Sequence, residues 1–280
     1  MRALHFLVLI LVVNTINAQN FTGKATYKTS RKSTFSFGKN KPGITDKMQE
    51  ELKKRMQKMN QKTFILEFDK TTSIYKEDVK LDNPNPMAGR GGVMVKSFGG
   101  FGSTDIYYKN IKEQTFSNKT QIMGKPFLVK DKLELHNWEL SSETKNIGMY
   151  TCYKASFTKE VENIKFSMVN GESKETKTKE TITTTAWYTT QIPISNGPKD
   201  YQGLPGLILE INDGKSIIVC TEIELNPAKE IRITEPEKGK IVSKKKFIKI
   251  QKKKNDEMME KMKSRKGVEL GNGIQIKMGG

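Results

Sequence analysis

The chain has 280 residues, 35% hydrophobic and 29% charged, and 49 Lys and Arg against 31 Asp and Glu give a formal net charge of +18. Two cysteines and two histidines, one of them in an apolar leader, exclude most zinc-type sites and leave any histidine-based catalysis to His136. Apolar positions cluster in periodic segments instead of thinning out as in a disordered chain, so a core can form.

Residues 1–18 read as a cleavable secretory signal: Arg2 gives a positive start, an apolar run covers 6–13, and Ala18 offers a small residue at the cut. That run falls short of the roughly 18 to 20 residues that cross a bilayer. The expectation is an exported, soluble chain beginning at Gln19, secreted or periplasmic and not membrane-spanning. Export removes nucleic acid as the partner of the positive charge. It leaves anionic envelope surfaces, or a lysine face that serves only solubility.

Period two in Ala25, Tyr27, Phe35 and Phe37 predicts a strand over 23–37. Pro42 and Gly43 break it, and Thr45 or Asp46 caps a helix to about Gln61. Met48, Leu52, Met56 and Met59 share one face of that helix, where core packing is the commoner role and a thioether copper site the rarer one. Strands over 63–68 and 72–75 meet in a hairpin at Asp69 and Lys70. The stretch 83–103 is a glycine-rich loop, and Lys96 and Ser97 lie inside it, without the strand–loop–helix order of a phosphate cradle. Strands over 105–111, 114–117, 120–123, 127–133, 138–140 and 149–157 follow too closely for crossover helices, which predicts antiparallel pairing. Residues 172–180, charged and poor in apolar side chains, read as a long hairpin tip before strands at 181–188, 207–211 and 216–225. The lysine-rich stretch 244–266 permits an amphipathic helix through Phe247, Ile250, Met258, Met259 and Met262, either laid on an anionic membrane or docked on the sheet. Residues 267–280 look frayed.

Cys152 and Cys220 each fall in a predicted strand, and an even count in an oxidising compartment makes them a possible disulfide. The pairing stays open, because a bridge needs Cα atoms within roughly 7 Å. Glu134, Glu139 and Glu143 are close in sequence but read as surface charge, and no G-x-S-x-G elbow accompanies His136. No catalytic residue, metal or cofactor is assigned.

The most distinctive run is residues 187–211. Trp187 and Tyr188 end a strand, Pro193 and Pro198 stiffen the connection, and Gly203-Leu204-Pro205-Gly206 makes a tight turn. With Pro205 second and Gly206 third, a type II turn is expected, which needs positive φ at Gly206. A buried strand carrying Glu210 follows. Here the chain resembles the GLPGLI family of secreted proteins, known mainly from Bacteroidetes and named for the string at 203–208. Trp138-Glu139-Leu140 and the run Ile147 to Ala155 look like the strand pair that precedes its W-Y element. Thr190 stands where members often carry Pro.

The resemblance implies an envelope or periplasmic protein with no established activity, cofactor or substrate. Its strand pattern is similar to half-barrel carriers, by fold-level analogy alone. The expected architecture is mainly β (α+β): a strongly curved antiparallel sheet or half-barrel with one or two packed amphipathic helices. The expected division is a leader 1–18, one β-rich domain 19–242 and a lysine-rich helix or tail 243–280. The leading functional expectation is a non-catalytic carrier with an apolar groove, with Trp187, Tyr188 and Leu204 near its rim. The second is an assembly module that docks on an outer-membrane partner through its basic surface and tail. A third, a hydrolase, needs two carboxylates facing each other across a cleft.

Overall fold

A computed structural model describes residues 21–31, 50–51, 61–79, 105–169, 172–264 and 276–279. The leader, residues 32–37 of the first strand, most of the methionine-faced helix and the glycine-rich loop all lie outside them. Glu50 and Glu51, inside the expected helix, are helical. Among the described residues there are thirteen strands: β1 (Gly23–Arg31), β2 (Gln61–Phe68), β3 (Thr72–Glu77), β4 (Ile106–Asn110), β5 (Thr115–Ile122), β6 (Lys125–Lys132), β7 (Glu139–Ile147), β8 (Tyr150–Val169), β9 (Glu172–Thr189), β10 (Leu207–Asn212), β11 (Ser216–Leu225), β12 (Lys240–Val242) and β13 (Ile276–Gly279). One long helix, α1 (Lys244–Ser264), joins the last two.

All strands form one sheet in the order β12-β6-β5-β4-β3-β2-β1-β11-β10-β9-β8-β13, with β7 also on β8. Its end strands do not pair with each other, so the sheet is open. Alternation explains most of it. In β1, Ala25 and Tyr27 are buried while Lys28 is exposed, and their partners in β2, Leu66 and Phe64, are buried as well. Phe64 stacks on Tyr75 at 4.9 Å and Tyr107 on Phe116 at 5.2 Å, which carries the core from β2 to β5. Asp69 closes the β2–β3 hairpin by accepting from the N–H groups of Thr71 and Thr72, each at 2.7 Å.

Four expectations need correction. Residues 172–180 are strand instead of hairpin tip: β8 and β9 stay in register out to Val169↔Glu172. Alternating Lys, Thr and Glu suit a ribbon whose described side chains, from Thr178 to Thr183, are exposed or half-buried, so no apolar signal marks it. The end expected to fray places β13 antiparallel on β8. The segments 114–117 and 120–123 are one strand, β5. Pairing is not wholly antiparallel, because β12 lies parallel to β6 with Lys240 opposite Phe127. Residues 133–239 separate these two strands in the chain, so no tight turn has to join the parallel pair. Helix α1 then packs on the sheet, the Phe247 ring meeting Phe127 edge-on at 5.6 Å.

Candidate functional site: the buried motif segment

The connection between β9 and β10, residues 190–206, lies against the core face of the sheet. Ile192, Ile194 and Leu204 are all buried in the core, and Tyr188 joins them at 5% exposure. Two prolines shape the path. Ile194 N–H donates to Ile192 O and Gly206 N–H to Leu204 O, both at 2.8 Å, so Pro193 and Pro205 each occupy the centre of a three-residue turn. Proline's fixed φ near −65° is close to what an inverse γ-turn asks of its central residue. The expected type II turn is therefore absent: positive φ falls on Gly203, at 96°, and not on Gly206. Gly206 is glycine for another reason, since a Cβ there would stand 2.1 Å from the Thr189 carbonyl oxygen.

Strands far away in sequence fasten this segment. Lys109 of β4 donates to Gly197 O at 2.7 Å and to Tyr201 O at 3.1 Å. Ser73 of β3 reaches Asn196 at 3.4 Å, and the Tyr27 hydroxyl of β1 donates to Ile208 O at 2.7 Å. Trp138 donates its indole N–H to Gln202 O at 2.9 Å, and the Gln202 amide donates to Glu134 O at 3.3 Å. Burial pushes the Lys109 ammonium down to about 7, with the Asp200 carboxylate opposing the shift. Lysine, asparagine and glutamine give no sign in the sequence that they will be buried, so Lys109, Asn196 and Gln202 escaped the reading. Their roles arise only from contacts across the sheet.

Trp187 and Glu210 stand opposite each other on β9 and β10. Lys145 of β7 links them: its ammonium lies 2.7 Å from the Glu210 carboxylate and 4.4 Å from the centre of the Trp187 ring. These two motif residues are thus drawn together by a lysine that sequence spacing did not single out. They do not line the same surface as Leu204, which is core.

Cys152 and Cys220 are both buried free thiols. Strands β9 and β10 lie between β8 and β11, so the two cysteines are not on neighbouring strands of the sheet. Burial raises their pKa values to about 11 and about 12, which keeps both thiols protonated at neutral pH and weakly nucleophilic.

His136 stacks on Phe157 at 4.5 Å, with Trp138 and Tyr201 completing an aromatic cluster. Burial lowers its pKa, with Asp200 opposing, and its Nε2 has no partner among the described residues. Glu134 is held by Lys244 at 3.0 Å and Glu143 by Lys154 at 2.7 Å, so each is neutralised by its own lysine. Among the described residues, no group of three His, Cys, Asp or Glu could hold a metal ion, and no helix is long and apolar enough to cross a membrane.

A family model described as a protein of unknown function (Porph_ging) matches residues 138–210. The match starts at Trp138 and ends at Glu210, enclosing the whole buried segment, all of β9 and the first four residues of β10. No curated protein matches the chain. Among solved structures it is similar to PNGF-II in a C2 crystal form, at 15% identity and a TM-score of 0.47, covering 84% of this chain and 33% of that one. PNGF-II in a P21 form gives 16% identity and a TM-score of 0.45, covering 83% and 34%. The chain thus spans about a third of the length of these structures.

Proposed function

We propose that this chain is an exported, non-catalytic binding protein of the cell envelope that meets its partner through its outer surface. The observation that carries this reading is the filled core face. Ile192, Ile194 and Leu204 lie where an apolar ligand would have to lie, and Lys109, Ser73 and Trp138 fasten their segment in place. A carrier rimmed by Trp187, Tyr188 and Leu204 needs those side chains accessible, yet Leu204 is 1% exposed. Binding capacity therefore falls to the outside. There the β7–β8 hairpin presents Leu140 and Met149, 62% and 84% exposed, and α1 presents its lysines.

The test is fractionation of cells that produce the full chain. The expected result is recovery with envelope membranes at low salt, release at high salt, and an N-terminus at Gln19 by mass spectrometry. Intact protein in the cytosol with Met1 still attached would overturn the reading. An apolar molecule that copurifies and displaces residues 190–206 would instead favour the carrier.

A further inference from the structure

Helix α1 opens with a sequence that its own electrostatics disfavours. Residues 244–254 hold seven lysines and no acid, and Asp256, Glu257 and Glu260 come only afterwards. The N-terminus of a helix is the positive end of the backbone dipole, where acids stabilise and cations destabilise. The lysine side chains do not cap it either. Lys246 N–H donates to Ser243 Oγ at 3.3 Å and Lys244 N–H to Asp131 Oδ2 at 3.0 Å, so other side chains perform that task.

Two of the seven lysines are paired, Lys244 with Glu134 and Lys254 with Glu257. The other five, Lys245, Lys246, Lys249, Lys252 and Lys253, are exposed and form no ion pair among the described residues. At about 100° per residue they share one stripe, turned away from the face on which Phe247 meets Phe127. Ile248, 53% exposed, borders that stripe.

Five unpaired cations beside the exposed aliphatic side chain of Ile248, on a helix held by the sheet, match the chemistry of a charged bilayer interface. Lipid phosphates attract the lysines, and Ile248 enters the boundary between headgroups and acyl chains. A soluble acidic polysaccharide would engage the lysines but give Ile248 no apolar surroundings. The geometry points to α1 as a docking surface for anionic phospholipid headgroups. This rests on the surface-binding reading above and names what that surface meets.

The test is co-sedimentation of the purified full chain with vesicles of phosphatidylcholine alone or mixed with phosphatidylglycerol. The chain binds the mixed vesicles and leaves the neutral ones in solution, and raising the salt about tenfold releases it. Each lysine near an anionic surface strengthens binding about fivefold. The triple variant Lys249→Gln, Lys252→Gln, Lys253→Gln thus binds about a hundredfold more weakly, with its melting temperature unchanged because the three side chains are exposed. Ile248→Ser weakens binding severalfold and keeps the salt dependence.

Equal binding to neutral vesicles, undiminished binding by the triple variant, or capture by a soluble acidic polysaccharide in place of vesicles would each overturn the proposal. A chain that is salt-extractable from envelope membranes in cells but ignores phosphatidylglycerol vesicles would sink the lipid assignment and leave the surface-binding reading standing. A cytosolic chain that binds such vesicles would do the reverse.

Discussion

Lys109 occupies a position where an ammonium is costly, and its retention follows from two carbonyls that need a donor. Its pKa near 7 lies below the roughly 10.4 of an unfolded lysine. Between those values the unfolded chain binds more protons at this position than the folded one, so the contribution of Lys109 to stability grows as pH rises from about 7 toward 10. Lys109→Met strands Gly197 O and Tyr201 O without donors, a loss of about 2 to 4 kcal/mol at pH 9. The loss shrinks at pH 6, where the wild type itself bears the buried charge. Urea unfolding at the two pH values checks this, and a variant effect that is equal at both would contradict it. For the whole chain the trend reverses above about pH 8.5, because burial raises the pKa values of Cys152 and Cys220, and at higher pH those of Tyr27, Tyr75 and Tyr107, which favours unfolding as these groups ionise. The two motif glycines separate in the same assay. Gly203→Ala meets only Trp138 at 3.7 Å and bears the backbone cost of positive φ, about 1 to 2 kcal/mol. Gly206→Ala drives a methyl into the Thr189 carbonyl and costs about 3 kcal/mol or more.

Among the elements, those with a core on one face were readable and those without were not. Strands β1, β2 and β4 alternate because one side of each meets the aromatic core, and the hairpin at Asp69 is written in its Asp-Lys-Thr-Thr sequence. The outer reaches of β8 and β9 pair along a polar ribbon, so period two carried no hydrophobic signal there. Most of β7 was missed likewise: its bulge between Leu140 and Thr144 and its exposed Glu143 are features that blunt a sheet edge and conceal a strand from pattern reading. The motif run marked the right segment but the wrong turn, because Gly206 answers to Thr189 across space, a contact that no local pattern encodes. Helix α1 was legible as amphipathic, and its docking depends on Phe247. Phe247→Ala removes the edge-on contact with Phe127 and lowers stability by about 2 kcal/mol, read as a fall in melting temperature with strand content retained by circular dichroism.

At the scale of the whole molecule, one sheet gathers strands from both ends of the chain. Burial of residues 190–206 needs β1, β3 and β4 on one side and β9 and β10 on the other, so the candidate site exists only once the sheet has assembled. Disrupting Lys109 should therefore loosen the Trp138 environment as well, seen as a shift in tryptophan emission, since both side chains hold the 197–202 stretch. Strand β1 has a further consequence. It sits mid-sheet between β2 and β11, with Gly23 opposite Leu225, so its second neighbour is made some two hundred residues later. During nearly all of synthesis, the first strand offers an unsatisfied row of N–H and C=O groups to whatever passes. A chain released at Lys215 keeps that row open and aggregates instead of unfolding cooperatively, and the complete chain refolds slowly because its decisive contact is so remote. Production of this protein should accordingly be limited by how well a chaperone shields β1 until the last quarter of the polypeptide arrives.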